Sequence, residues 1–249
     1  MSRYILTIEY DGTPFCGWQR QKDVATAQGR LEDAMLPFLK KKITLFGSGR
    51  TDTGVHALGQ VAHFDFDGHI DCFRLMECMN AYLLDVPMNV LSLQEAAEGF
   101  HARASAIERQ YLYKILNRQA KPCLDANRVW HVSPRLDAAA MHRAAQFLVG
   151  KHDFSTFRAA GCQAKSPVKT MDQITVTQDG DILAIRVVAR SFLYRQVRNI
   201  VGSLVLVGRG KWSTQDLLDA LGACDRRRAG PTAPACGLYF VGTKYPCAQ

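Results

Sequence analysis

The hydrophobic pattern of this chain switches between a period of two and a period near 3.6, and it runs through that switch twice in similar order. Residues 4–10 are rich in β-branched and aromatic side chains and close on Asp11-Gly12, which predicts a strand and a turn. Ala27, Leu31, Ala34, Met35 and Phe38 then recur at helical spacing behind Thr26, a candidate N-cap. Residues 59–66 alternate, with Ala62, Phe64 and Phe66 on one face and Val61, His63 and Asp65 on the other, so a strand is expected. A helix near residues 73–84 and a strand near residues 89–93 complete this half.

The second half begins with a strand over residues 109–116, where Tyr111, Tyr113 and Ile115 share a face. Met141, Ala144, Ala145 and Leu148 form a helical stripe between Asp137 and Gly150. Residues 171–178 and 182–189 flank Asp179-Gly180-Asp181, a hairpin signature. Val197, Ile200, Val201 and Leu204 make a further helical stripe. Strands and helices mixed in this way predict an α+β fold. The seam falls near residues 99–105 and separates an N-terminal half (1–104) from a C-terminal half (105–249). The resemblance of the halves is one of pattern, without a residue-level repeat. A groove between two such halves suits a long polyanion better than a small metabolite.

Charge is compatible with such a partner without deciding it. The formal net charge is +8, with a concentration of positive residues in one segment. Arg186, Arg190, Arg195, Arg198, Arg209, Lys211, Arg226, Arg227 and Arg228 face only Asp216, Asp219 and Asp225 over that stretch. Such a segment is either a solvated face or the footprint of a polyanion, most often nucleic acid, and charge alone does not separate the two. The longest apolar stretch, residues 200–207, is interrupted by Gly202 and Ser203 and is far too short for a membrane span. Met1-Ser2-Arg3-Tyr4-Ile5 enters the first strand pattern with no targeting signal, so the cytoplasm is the expected location. The eight cysteines include no CxxC pair and are expected to be reduced thiols. His56, His63 and His101 lack metal-ligand spacing, and no metal is expected.

The segment Gly47-Ser48-Gly49-Arg50-Thr51-Asp52-Thr53-Gly54-Val55-His56-Ala57 carries the densest chemistry. Glycines, hydroxyls, an Arg and an Asp between an apolar run and a strand describe a tightly shaped loop of the kind that holds catalytic groups on a scaffold. The plain alternative is an Asx-turn at Asp52. A phosphate cradle is disfavoured by the missing Walker lysine. Asp52-Thr53-Gly54 also matches the aspartic-protease triplet, but no second such triplet supplies the paired carboxylate, and Arg50 would hold Asp52 ionised.

From this loop outward the sequence resembles the TruA-type tRNA pseudouridine synthases. The resemblance is carried by Tyr10-Asp11-Gly12-Thr13 with Gly17-Trp18-Gln19-Arg20-Gln21, residues 49–57, and Phe100-His101-Ala102-Arg103. It continues in Arg109-Gln110-Tyr111-Leu112-Tyr113, His152-Asp153-Phe154-Ser155-Thr156-Phe157, Phe192, and Val197-Arg198-Asn199-Ile200-Val201-Gly202. Ala229-Gly230-Pro231-Thr232-Ala233-Pro234 with Gly237-Leu238 completes it, so the motifs span essentially the whole chain in the family's order.

The resemblance implies an enzyme that isomerises uridine to pseudouridine at positions 38 to 40 of the tRNA anticodon stem-loop. No cofactor is implied, because the reaction breaks the N1–C1′ bond and rejoins the uracil through C5. Asp52 is implied as the nucleophile, with Arg198 the guanidinium that keeps it ionised. Attack at C1′, attack at C6 and assistance to elimination are all open routes for Asp52. Tyr111 is implied to stack on the extruded base, Arg50 to enter the space the base leaves, and Leu238 to wall the pocket. A homodimer is implied, as are ferredoxin-like halves whose antiparallel sheets join across a basic central cleft.

From the residues alone, Arg198 sits at the edge of its apolar stripe, from which a side chain can reach into a cleft, but the favoured reading is an Arg snorkelling over the core. Tyr113 reads as a core aromatic. The run Arg226-Arg227-Arg228 is expected to contact phosphate. A non-catalytic RNA-binding protein with the same fold is the alternative function, but it predicts loss of the carboxylate or its partners, and Asp52, Tyr111 and Arg198 are all present. A hydrolase would need a second carboxylate.

Overall fold

Alternating burial along Ser2–Tyr10 marks β1, whose Leu6 and Ile8 are fully enclosed. The computed structural model describes residues 1–246. After β1 comes α1 (Ala27–Leu39), opened by Thr26, whose Oγ1 accepts a hydrogen bond from the Gly29 amide at 3.2 Å. This N-cap satisfies one of the amides that a first turn leaves without a partner. α1 buries Ala27, Leu31, Ala34 and Met35, as the stripe predicts. Its last turn, after Met35, buries nothing, so Phe38 is exposed and the stripe ends one turn early.

β2 (Phe46–Gly47), β3 (His56–Phe66), α2 (Cys72–Tyr82) and β4 (Met88–Glu95) follow. β1 is the central strand, antiparallel to β3 on one side and to β4 on the other, and β2 pairs with β3. Both faces of β3 are covered along Gln60, Val61, Ala62, His63 and Phe64. The face carrying His63 is closed by the chain at Phe100-His101-Ala102. There the Ala102 amide donates to His63 Nδ1 at 3.2 Å, and the His101 ring lies 4.6 Å from that of His63.

A second unit spans Glu108–Leu238. It contains β5 (Glu108–Leu116), β6 (Trp130–His131), α3 (Ala138–Gln146), β7 (Gly150–Asp153), β8 (Val168–Asp179), β9 (Ile182–Ala189), α4 (Gln196–Gly208) and α5 (Thr214–Gly222). Its antiparallel sheet runs β5-β9-β8-β7, with β6 parallel to β5. Asp179 pairs with Ile182, so Gly180 and Asp181 alone form the hairpin loop. Asp137 caps α3 as expected, accepting from the Ala140 amide at 2.8 Å. Gly150, expected to end that helix, instead opens β7 after three residues of turn. α4 is buried on nearly every face, far beyond its predicted stripe.

β10 (Leu238–Lys244) belongs from Tyr239 onward to the first unit, where Tyr239 and Phe240 lie parallel to His56 and Ala57 of β3. Its sequence position in the second half conceals this return. The architecture is α+β, in agreement with the patterning. The cysteines among the described residues are free thiols, and Cys247 lies outside them. Among the described residues no helix is long and apolar enough to cross a membrane.

Candidate active site

The loop between β2 and β3 is fixed peptide by peptide. The Ser48 amide donates to the Val61 carbonyl at 2.7 Å, and Ser48 Oγ to Gln60 Oε1 at 3.1 Å. Gln60 Nε2 returns to the Gly49 carbonyl at 2.6 Å. Thr51 is buried, its carbonyl accepting from the Trp18 amide at 3.1 Å and its Oγ1 standing 2.7 Å from the Tyr10 hydroxyl. The Asp52 carbonyl accepts from Val55 at 3.1 Å, and the Gly54 amide donates to the Phe15 carbonyl at 3.3 Å. Gly17 reaches this loop at φ +87°, and a Cβ there would lie 2.7 Å from the Thr51 carbonyl oxygen. A backbone clamped at Thr51, Asp52 and Gly54 gives the half-buried Asp52 a fixed base, which is what a carboxylate needs to meet a substrate in one geometry.

Beneath the loop, His56 is buried and stacks on Tyr239 with ring centres 4.7 Å apart. Its Nδ1 accepts from the Gly12 amide and lies 3.1 Å from Asp11 Oδ1. The Asp11-Gly12 turn and the His56 end of β3 are thus held together through one ring nitrogen.

Arg50 lies on the same loop, two residues before Asp52, and is exposed. Its Nε donates to Gln19 Oε1 at 3.1 Å. Gln19 Nε2 donates to Gln28 Oε1 at 2.8 Å, and Gln28 is buried on the first turn of α1. Gly17-Trp18-Gln19-Arg20-Gln21 is among the segments that carry the family resemblance, but nothing in the sequence singles out Gln19 as the partner of Arg50.

In the second unit Tyr111 stands opposite Val187 on β5, half-buried, with its ring edge-on to Phe192 at 5.0 Å. Phe192 precedes α4, so the same ring ties Tyr111 to the entrance of the helix that carries Arg198. Tyr113, two residues on, is fully buried, and its hydroxyl donates to the Pro234 carbonyl at 2.7 Å. Burial pushes that hydroxyl well above the ordinary tyrosine range, with Arg198 acting in the opposite direction. Its structural reading stands.

Arg198 is half-buried near the start of α4. Its Nε donates to the Ala233 carbonyl at 2.8 Å, and the Ala233 amide returns to the Arg198 carbonyl at 3.1 Å. The guanidinium is thereby clamped against the segment 229–234 rather than snorkelling over the core. That segment is sewn to α4 at further points: the Gly230 amide donates to Ser203 Oγ at 2.9 Å, and Thr232 Oγ1 to Asn199 Oδ1 at 2.6 Å. Leu238 is buried directly after Gly237, whose Cα lies against the Tyr113 ring.

The arginine run behaves differently from the expectation of shared phosphate contact. Arg226 turns inward, with Nη2 donating to Asn199 Oδ1 at 3.1 Å and to Thr232 Oγ1 at 2.9 Å, and Nη1 to the Gly230 carbonyl at 3.2 Å. Those acceptors need donors, and Arg226 meets them, so it is a brace of the 229–234 segment. Arg227 pairs with Asp225 at 2.7 Å and, like Arg228, is exposed.

A family model described as tRNA pseudouridine synthase matches residues 144–246. Curated proteins match over nearly the whole chain. A protein of Rhodospirillum rubrum named tRNA pseudouridine synthase A is 54% identical over 99% of this chain and 88% of its own length. One of the same name from Azorhizobium caulinodans is 53% identical over 99% of this chain and 95% of its own. A third, from Caulobacter vibrioides, is 50% identical over 98% and 99%. With half or more of the residues identical from end to end, the chain is a member of the tRNA pseudouridine synthase family of isomerases.

Proposed function

We propose that this protein converts uridine to pseudouridine at positions 38 to 40 of the tRNA anticodon stem-loop, with Asp52 as the nucleophile. The observation that carries this reading is the construction of the 47–57 loop, where both peptides next to Asp52 are fixed by hydrogen bonds while the residue stays half-buried. A carboxylate fixed in this way can act on the nucleoside as the N1–C1′ bond breaks. The uracil then turns, C5 bonds to C1′, the C5 hydrogen leaves to solvent and N1 takes a proton. Substrate and product are isomers, so no redox cofactor is required.

Arg198 supplies the guanidinium that keeps the nucleophile ionised, a role suited to a side chain whose Nε is already committed to a backbone carbonyl. Tyr111 stacks on the extruded uracil, and its edge-on contact with Phe192 fixes the ring's tilt. Arg50 occupies the space the base leaves in the RNA stack, and Leu238 provides an apolar wall. The positive charge carried between Arg186 and Arg228 attracts the tRNA backbone. The working form is a homodimer in the cytoplasm.

The test is pseudouridine mapping by carbodiimide primer extension on an unmodified tRNA transcript. Stops confined to positions 38 to 40 with wild type and absent with Asp52→Asn support the reading. Stops elsewhere in the tRNA would overturn the assignment of the site.

A further inference from the structure

The polar side chains around Arg50 form a relay whose direction is dictated by the backbone. Gln28 stands at its centre, buried on α1. Its Oε1 accepts from the Arg20 backbone amide at 2.9 Å, and its Nε2 donates to the Leu45 carbonyl at 3.1 Å. A backbone N–H can only donate and a carbonyl can only accept, so these two contacts fix which end of the Gln28 amide points each way. Gln28 Nε2 also donates to Glu32 Oε1 at 2.8 Å, and that oxygen takes the Leu45 amide at 3.0 Å. The other Glu32 oxygen accepts from Arg20 Nη1 at 3.0 Å.

With Gln28 Oε1 turned outward, Gln19 must present its NH₂ to it, as it does at 2.8 Å. The Gln19 carbonyl oxygen is then left facing Arg50, whose Nε–H is an obligate donor, at 3.1 Å. Each link has one polarity that satisfies it, and the sequence of links ends on the guanidinium.

We propose that Gln19 is a positioning residue for base extrusion, fixing the plane of the Arg50 guanidinium through a relay anchored on buried Gln28 and Glu32. The inference rests on the proposed role of Arg50 in the reaction. An exposed Arg samples several rotamers in solution, and holding one of them before RNA arrives removes that ordering cost from the extruded state. Gln19→Leu keeps the side-chain volume and removes both contacts. Gln19→Glu keeps an acceptor for Arg50 but opposes a carboxylate to Gln28 Oε1, so it restores part of the function.

The experiment uses the full-length protein and an unmodified tRNA transcript carrying 2-aminopurine beside the target uridine. Gln19→Leu, Gln19→Glu, Arg50→Ala and the Gln19→Leu/Arg50→Ala double variant are compared for turnover at saturating tRNA, tRNA dissociation constant, fluorescence rise on extrusion and melting temperature. Gln19→Leu lowers turnover and the fluorescence rise by about tenfold, with the dissociation constant within about twofold of wild type. Gln19→Glu falls between the two. In the Arg50→Ala background Gln19→Leu has no further effect, because a residue that acts through another has nothing left to act on.

Equal losses from Gln19→Leu with and without Arg50, or no loss at all, overturn the relay while leaving Arg50 in its role. Full turnover by Arg50→Ala overturns the role of Arg50 itself. A melting temperature lowered in step with turnover, with the fluorescence rise per folded protein unchanged, also overturns the relay.

Discussion

The Tyr10 hydroxyl and the Thr51 hydroxyl lie 2.7 Å apart, both buried, at the point where the last residue of β1 meets the residue before Asp52. Removing the phenolic oxygen with Tyr10→Phe takes this contact away from the buried Thr51 Oγ1. The expected cost is about 1 kcal/mol of stability, read from the urea midpoint. Turnover falls further than stability alone requires, because the peptide entering Asp52 gains freedom, while tRNA affinity is unchanged. Equal turnover by the variant would show that this contact does not hold the nucleophile.

Gly202 and Gly222 provide a contrasting pair. A Cβ on Gly202 would lie 1.7 Å from the Pro231 carbonyl oxygen, whereas one on Gly222 would meet nothing within 4 Å. Gly202→Ala must therefore displace the 229–234 segment from α4, at a cost of roughly 3 kcal/mol or more. Because Ala233 clamps Arg198, activity falls with it. Gly222→Ala, at the end of α5, gains roughly 0.5 kcal/mol from reduced freedom of the unfolded chain. Thermal melting of the two variants checks both signs.

The arginine run separates into a structural and an electrostatic part. Arg226→Ala leaves Asn199 Oδ1, Thr232 Oγ1 and the Gly230 carbonyl short of a donor. It is expected to destabilise the protein by about 1–3 kcal/mol. Arg228→Glu leaves stability nearly unchanged, weakens tRNA binding and reduces the slope of log affinity against log salt by about 1. An unchanged salt slope would remove Arg228 from the RNA-binding surface.

His63 gives stability a pH dependence of definite sign. Burial, followed by the nearby Arg3 and His101 and opposed by Asp65, lowers its pKa from 6.5 to about 4. Between these values the unfolded chain binds a proton that the folded protein does not, so stability rises with pH there. The contribution is complete above pH 6.5 and is lost as pH falls toward 4. His63→Gln keeps an acceptor for the Ala102 amide and should flatten this part of the curve in urea titrations at successive pH values.

Much of the fold is legible in the patterning because local spacing decides it. Thr26 and Asp137 cap their helices, β5 presents Tyr113 and Ile115 to the core, and the stripe Val197, Ile200, Val201 and Leu204 is buried throughout. What escapes the sequence depends on distant partners. Asn199 and Ser203 are polar yet buried, because Phe157 and Gly230 come from elsewhere in the chain to bond them. β10 is short and pairs with a strand more than 170 residues earlier, which no local period announces. α5 is missed although its capping box, Ser213 with Asp216, was available to read.

The candidate site divides in the same way. Asp52 and Arg50 stand out from loop composition, and Tyr111 and Arg198 from the family resemblance. Arg226 reads as one of three like charges because sequence shows its sign but not its acceptors. Gln19 gives no signal by itself, since its part depends on the orientation of an amide nine residues away.

The decisive measurement is tritium release from C5-labelled uridine in an unmodified tRNA transcript, with wild type and Asp52→Asn compared alongside their affinities for the same tRNA. Release by wild type that disappears in Asp52→Asn, with binding retained, is the expected result. Tight binding with no release by wild type, or release that survives in Asp52→Asn, would contradict the assignment of Asp52 as the nucleophile of a uridine isomerase.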